Sequence, residues 1–130
     1  MNTKLLFFYG ASMMAATLGG GAIAQQTEGQ YIQVAEIEVD PAQLDEYRAA
    51  VQEQIDAAFG KEPGVMALYA VSEKDNLTHI RVFEIYRDRT AYEAHRGSDH
   101  FKKYKATVEK MGKSLKLVQA TPIMLGAKSK

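Results

Sequence analysis

A glutamate and a tyrosine stand two residues apart in Arg81-Val82-Phe83-Glu84-Ile85-Tyr86, a segment otherwise apolar enough to form a strand. Alternation along a strand sends both side chains to one face of the sheet. His95 follows on the next element and His100-Phe101 comes just after it. A carboxylate, a phenol and an imidazole held together can take, orient and return a proton. Charges inside apolar strands are seldom left without a partner or a purpose. His95, Glu84 and Tyr86 are therefore the candidate catalytic residues. His95 suits the role of base because imidazole titrates near neutrality. Glu84 can orient it or hold a substrate hydroxyl, and Tyr86 can donate to an oxyanion. The plainer readings are a surface His95, a Glu84 paired with Arg81 or Arg87, and a Tyr86 packed in the core with its hydroxyl at the rim.

Two further residues are candidates for substrate binding. Tyr69 lies in a strand that is apolar at odd and even positions. His100 sits in the first turn of a helix, where the dipole disfavours a protonated ring and suits a neutral hydrogen-bonding one. His79, at a hairpin, reads as a surface residue. His95 and His100 are five residues apart across Gly97 and make no HxxxH pair. With no third ligand evident, no metal site is expected.

The elements that must position these residues can be read in order. Tyr31 to Val39 is a strand rich in β-branched and aromatic positions. Asp40-Pro41-Ala42-Gln43 starts a helix, with Asp40 as cap, Pro41 at the first helical position and Gln43 completing a capping box. Leu44, Tyr47, Val51, Ile55 and Phe59 recur at helical spacing, Gly60 stops the helix, and Pro63-Gly64 turns the chain. Val65 to Ser72 is a second strand, apolar on both faces and so expected to be buried on both. Glu73 to Asn76 joins it in a hairpin to a third strand, Thr78 to Tyr86. Asp88 or Thr90 starts a short helix ending at Gly97. Ser98 caps another helix, with Phe101, Tyr104, Val108 and Met111 on one face and Gly112 at its close. Leu115 to Thr121 is the last strand. The order β-α-β-β-α-β, with its second helix broken in two, predicts a ferredoxin-like α+β fold. Helices hide one face of such a sheet. A second copy is the expected cover for the other, giving a barrel-like homodimer with one cavity per subunit.

Residues 1–24 are expected to be a signal peptide rather than part of this domain. Lys4 precedes an apolar run from Leu5 to Leu18, the Gly19-Gly20-Gly21 break, and the small-x-small pattern Ala22-Ile23-Ala24. That order is the signature of export to the periplasm or beyond, and the run is too short for a retained anchor. The mature chain from Gln25 to Lys130 is then one small domain, with no membrane association after cleavage. Basic and acidic residues number 16 each, so no electrostatic footprint for nucleic acid exists. Cysteine is absent, which removes disulfides, thiolate nucleophiles and cysteine metal sites.

Glu62-Pro63-Gly64-Val65, Phe83-Glu84-Ile85-Tyr86-Arg87-Asp88, Ala91-Tyr92-Glu93-Ala94-His95 and Ser98-Asp99-His100-Phe101 stand in an order that resembles the antibiotic biosynthesis monooxygenase (ABM) domain family, including its YgiN-like quinol monooxygenase branch. The similarity runs from about Gln30 to Ile123, and its motifs are short but specific in order and spacing. The resemblance implies a dimeric α+β barrel, His95 at the family's base position, and oxygenation of a quinol- or phenol-like small aromatic by O2 with no metal or flavin cofactor. Such an enzyme must deprotonate its substrate, stabilise the anion and exclude water. Two alternatives use the same pocket: an isomerase or lyase that needs no oxygen, and a non-catalytic dimer that binds a hydrophobic ligand. Haem-degrading members of the fold are associated with a pocket tryptophan, and this chain has none.

Overall fold

The computed structural model describes residues 29–129. The expected signal peptide over residues 1–24 lies outside them. Strand β1 (Tyr31–Val39) leads through a 3₁₀ turn (Pro41–Gln43) into helix α1 (Leu44–Lys61). β2 (Val65–Glu73) and β3 (Asn76–Tyr86) form a hairpin, α2 (Arg89–Gly97) and α3 (Asp99–Glu109) follow, and β4 (Gly112–Ala120) ends the domain. The sheet is antiparallel in the order β2-β3-β1-β4. This is the expected ferredoxin-like α+β arrangement. The sheet is open in the single chain, with β2 and β4 at its edges.

Three details of the elements differ from expectation. Asp40 caps the 3₁₀ turn by accepting from Ala42 N at 2.9 Å, and Gln43 makes no capping bond, so no capping box forms. Gly112 opens β4 instead of closing α3. The buried stripe of α1 runs through Tyr47, Gln54 and Ala58, while Phe59 is 51% exposed. Steps of four residues overshoot the helical repeat, so Phe59 stands about 120° round the helix from Tyr47, whereas seven- and eleven-residue steps return to its face.

The core lies between the inner sheet face and the helices, in two apolar clusters. One gathers Ala35, Ile37, Val39, Tyr47, Ile80, Val82 and Met111; the other gathers Ala58, Val65, Leu68, Tyr86, Ala91 and Tyr92. Strand register explains the division. Tyr31 pairs with Tyr86, Gln33 with Glu84, and Ala35 with Val82, so the Gln33–Glu84 row falls between the clusters. Gln54 occupies the matching level of α1. A buried polar layer thus crosses an apolar core, which is costly unless every group finds a partner. Among the described residues, no buried side-chain nitrogen or oxygen lacks one.

The outer sheet face is open, apolar at one end and charged at the other, where Glu36, Glu38 and Glu73 stand against His79 and Arg81. Tyr69, Phe83, Val34 and Val118 form one row across all four strands, and Met66 and Val71 flank it on β2. Tyr69 is 59% and Phe83 43% exposed. One chain leaves this face of β2 without a cover, because α1, α2 and α3 lie on the other side of the sheet, and its expected cover is a second copy.

Candidate active site

His95 reaches the polar layer from α2, and its position is set by two local devices. Asp88 caps α2 by accepting from Ala91 N at 2.8 Å, an interaction that also holds its carboxyl below the usual carboxylate range. Gly64 lets α2 pack against the turn after α1: a Cβ there would stand 2.5 Å from Ala91 Cβ, one helical turn before His95. The turn delivers Glu62 to the ring. His95 Nδ1 lies 2.7 Å from Glu62 Oε2, and His95 Nε2 lies 2.8 Å from Gln54 Nε2. The carboxylate only accepts, so Nδ1 carries the hydrogen, and Nε2 is left to accept from the Gln54 amide; the tautomer is assigned from this network. His95 is buried among these partners, 1% exposed.

Glu84 belongs to a second network. Tyr86 Oη donates to its Oε1 at 2.6 Å and Gln33 Nε2 donates to its Oε2 at 3.0 Å, while Tyr92 Oη donates to Gln33 Oε1 at 3.2 Å. Burial, and then the Glu84 charge, push the Tyr86 phenol well above its ordinary pKa. Burial and the neighbouring Tyr47 do the same to Tyr104, whose hydroxyl lies 2.9 Å from that of Tyr47. Both phenols stay protonated wherever the protein is folded at neutral pH.

A cavity of about 540 Å³ lies between sheet and helices, walled by Val51, Ile55, Leu68, Val82 and Phe101 and reached by Gln33, Gln54, Glu84, Tyr92 and His95. Its lining also takes in the exposed Lys105, Glu109 and Lys113, which puts the mouth between α3 and β4.

Of the residues singled out in the sequence, His95 and Glu84 line this cavity. Tyr86 stands behind Glu84, not on the wall, and its proton is committed to that carboxylate, not free for an oxyanion. His100 is also off the wall; its Nε2 lies 2.6 Å from Glu62 Oε2 and 3.1 Å from Ser98 Oγ. Tyr69 is on the opposite face of the sheet, because strand alternation turns it outward where Leu68 turns in. The partner that orients His95 is Glu62, not Glu84. His79 is at the hairpin, half-exposed between Glu38 and Glu73.

Sequence reasoning missed Glu62, Gln54, Gln33 and Tyr92. Gln54 had a signal, as a polar residue at the level where the apolar stripe of α1 should continue. Glu62 stood in the Glu62-Pro63-Gly64-Val65 motif, where nothing local tied it to His95. With it, three donor atoms able to hold a metal, from Glu62, His95 and His100, lie within 4.8 Å of one another. Such a third ligand was not visible from spacing.

The family model described as antibiotic biosynthesis monooxygenase matches residues 30–107, which include every residue of both networks. A crystal structure from Bacteroides thetaiotaomicron, named as a candidate antibiotic biosynthesis monooxygenase, is 41% identical with a TM-score of 0.75, over 80% of this chain and 99% of that one. Candidate members from Nitrosomonas europaea (20% identical, TM-score 0.69, 74% of this chain and 92% of that one) and Caulobacter crescentus (22%, 0.66, 74% and 93%) share the fold. No protein of curated function matches the chain. With the family model spanning the site and a 41%-identical relative spanning the domain, the chain belongs to the antibiotic biosynthesis monooxygenase family.

Proposed function

We propose that this protein is a monooxygenase that oxidises a quinol- or phenol-like small aromatic with O2, the substrate itself supplying the electrons. The observation that carries the reading is His95: its side chain lines a mostly apolar cavity beside Gln54, which meets its Nε2, and a carboxylate stands behind its Nδ1. A phenolic hydroxyl in the cavity competes with Gln54 for Nε2 and passes its proton there. Glu62 then faces an imidazolium, which its charge stabilises. The resulting phenolate gives an electron to dioxygen far more readily than the phenol does. In the full reaction one oxygen atom enters the ring as a carbonyl and the other leaves as water, so no outside reductant is needed. The volume of the cavity suits one small ring system, since small-molecule pockets span about 300–1,000 Å³.

The uncovered apolar face supports a homodimer in which two outer sheet faces meet. The order of residues 1–24 supports export. Oxygen uptake with a panel of quinols and hydroxy-aromatics tests the reaction, with an anaerobic arm. Turnover that persists without oxygen identifies an isomerase or lyase, and cavity binding without turnover identifies a ligand carrier; either result rejects the oxygenase reading.

A further inference from the structure

We infer that Glu62, His95 and His100 form a binding site for a borderline divalent metal ion of the Zn(II) class, on the side of His95 away from the cavity. The donors come from three places in the fold. Glu62 follows α1, His95 is in the last turn of α2, and His100 is in the first turn of α3. Ser98 fixes the corner between the two histidines: its hydroxyl donates to His95 O at 2.6 Å and accepts from Phe101 N at 3.3 Å. The two rings meet one oxygen, Glu62 Oε2, at 2.7 and 2.6 Å, and the side chains of His100 and Glu62 are only 11% and 14% exposed. Two imidazoles and one carboxylate are a donor set of zinc and non-haem iron sites.

The three donor atoms lie within 4.8 Å of one another. Metal–ligand bonds of about 2.0–2.1 Å separate donors by about 2.9 Å at a right angle and about 3.4 Å in a tetrahedron. Each nitrogen must part from Glu62 Oε2 by a few tenths of an ångström or somewhat more, and Glu62, just outside its helix, can turn to allow it. The two rings start no more than 4.8 Å apart at their donor atoms. The protons also balance. Each imidazole moves its hydrogen to its other nitrogen, so two neutral rings release none. On His95 that nitrogen is Nε2, and Gln54 can meet the new N–H by turning its amide oxygen inward. An outer partner on the far nitrogen is the usual support of a metal-bound histidine.

Binding has a consequence that rests on the function proposed above. A metal on Nδ1 holds the hydrogen on Nε2, so His95 faces the cavity as a donor and is no longer a base. The metal ion is then an inhibitor, and the metal-free protein is the active form.

Titrating untagged, chelator-treated protein with Co(II) and following visible absorbance tests the site apart from any activity. The expected result is a one-to-one d–d spectrum that Zn(II) abolishes. Glu62→Gln and His100→Ala should weaken binding beyond the about 10–100-fold that loss of an outer partner costs. His79→Ala should leave it unchanged, and circular dichroism checks that each variant is folded. Absence of a saturable spectrum, or equal binding by His100→Ala and the unaltered protein, overturns the site. If Co(II) binds but stoichiometric Zn(II) leaves oxygen uptake unchanged or raises it, the inhibitory role is overturned. If no quinol is oxidised by either form, the function reading fails while the titration still decides the site.

Discussion

His95 and Glu84 could be chosen from residue types and strand period, yet their partners could not. Glu62 is 33 positions from His95 and Gln33 is 51 from Glu84, and pairings of that range depend on how the elements dock. Of the two roles open to Glu84, orienting His95 belongs instead to Glu62, while Glu84 accepts from Tyr86 and Gln33. Tyr86 provides a test at this scale. Tyr86→Phe leaves the buried Glu84 one donor short, which should cost about 1–3 kcal/mol in urea unfolding. The pH dependence follows in sign. The folded state raises the Tyr86 pKa, first through burial, so its contribution is complete below the ordinary tyrosine value of about 10 and is lost as pH rises past it. Tyr104 acts in the same direction. Unfolding midpoints should fall above about pH 10, and less steeply in Tyr86→Phe. Equal slopes would exclude Tyr86 as a source.

At the level of elements the sequence was most legible where the signals were local. Strand alternation, Asp88 and Ser98 as caps, and the Pro63-Gly64 turn all placed their elements within a few residues. One misreading came from geometry that accumulates. Four-residue steps carried Phe59 off the buried face of α1. Gly64 is the element-level determinant of the site, because it sets how closely the turn bearing Glu62 approaches the helix bearing His95. Gly64→Ala drives a methyl group to 2.5 Å from Ala91 Cβ, so α2 must move away. Overpacking of this kind costs about 1–3 kcal/mol. Oxygen uptake should fall more than stability alone explains, because the Glu62–His95 distance of 2.7 Å lengthens with the shift. A variant with native uptake and native melting temperature would show that the approach is not critical.

Over the whole molecule the βαββαβ order was legible, because each element carries its own period and its own stops. A cavity was expected too, but not its mouth between α3 and β4, because no local pattern records that gap. The open outer face has large apolar side chains in a continuous row, each worth about 1.5–3 kcal/mol if fully buried. Native mass spectrometry of protein from its own host should find a dimer whose chains begin at or near Gln25. A monomer contradicts the proposed interface, and chains that begin at Met1 contradict the proposed export. Whether His95 removes the proton that makes the substrate reactive toward oxygen is decided by oxygen uptake of His95→Ala beside His79→Ala on a confirmed quinol substrate. A loss of about 10²–10⁴-fold is expected for His95→Ala, in the range of general-base catalysis, and none for His79→Ala. Equal rates in the two variants would contradict it.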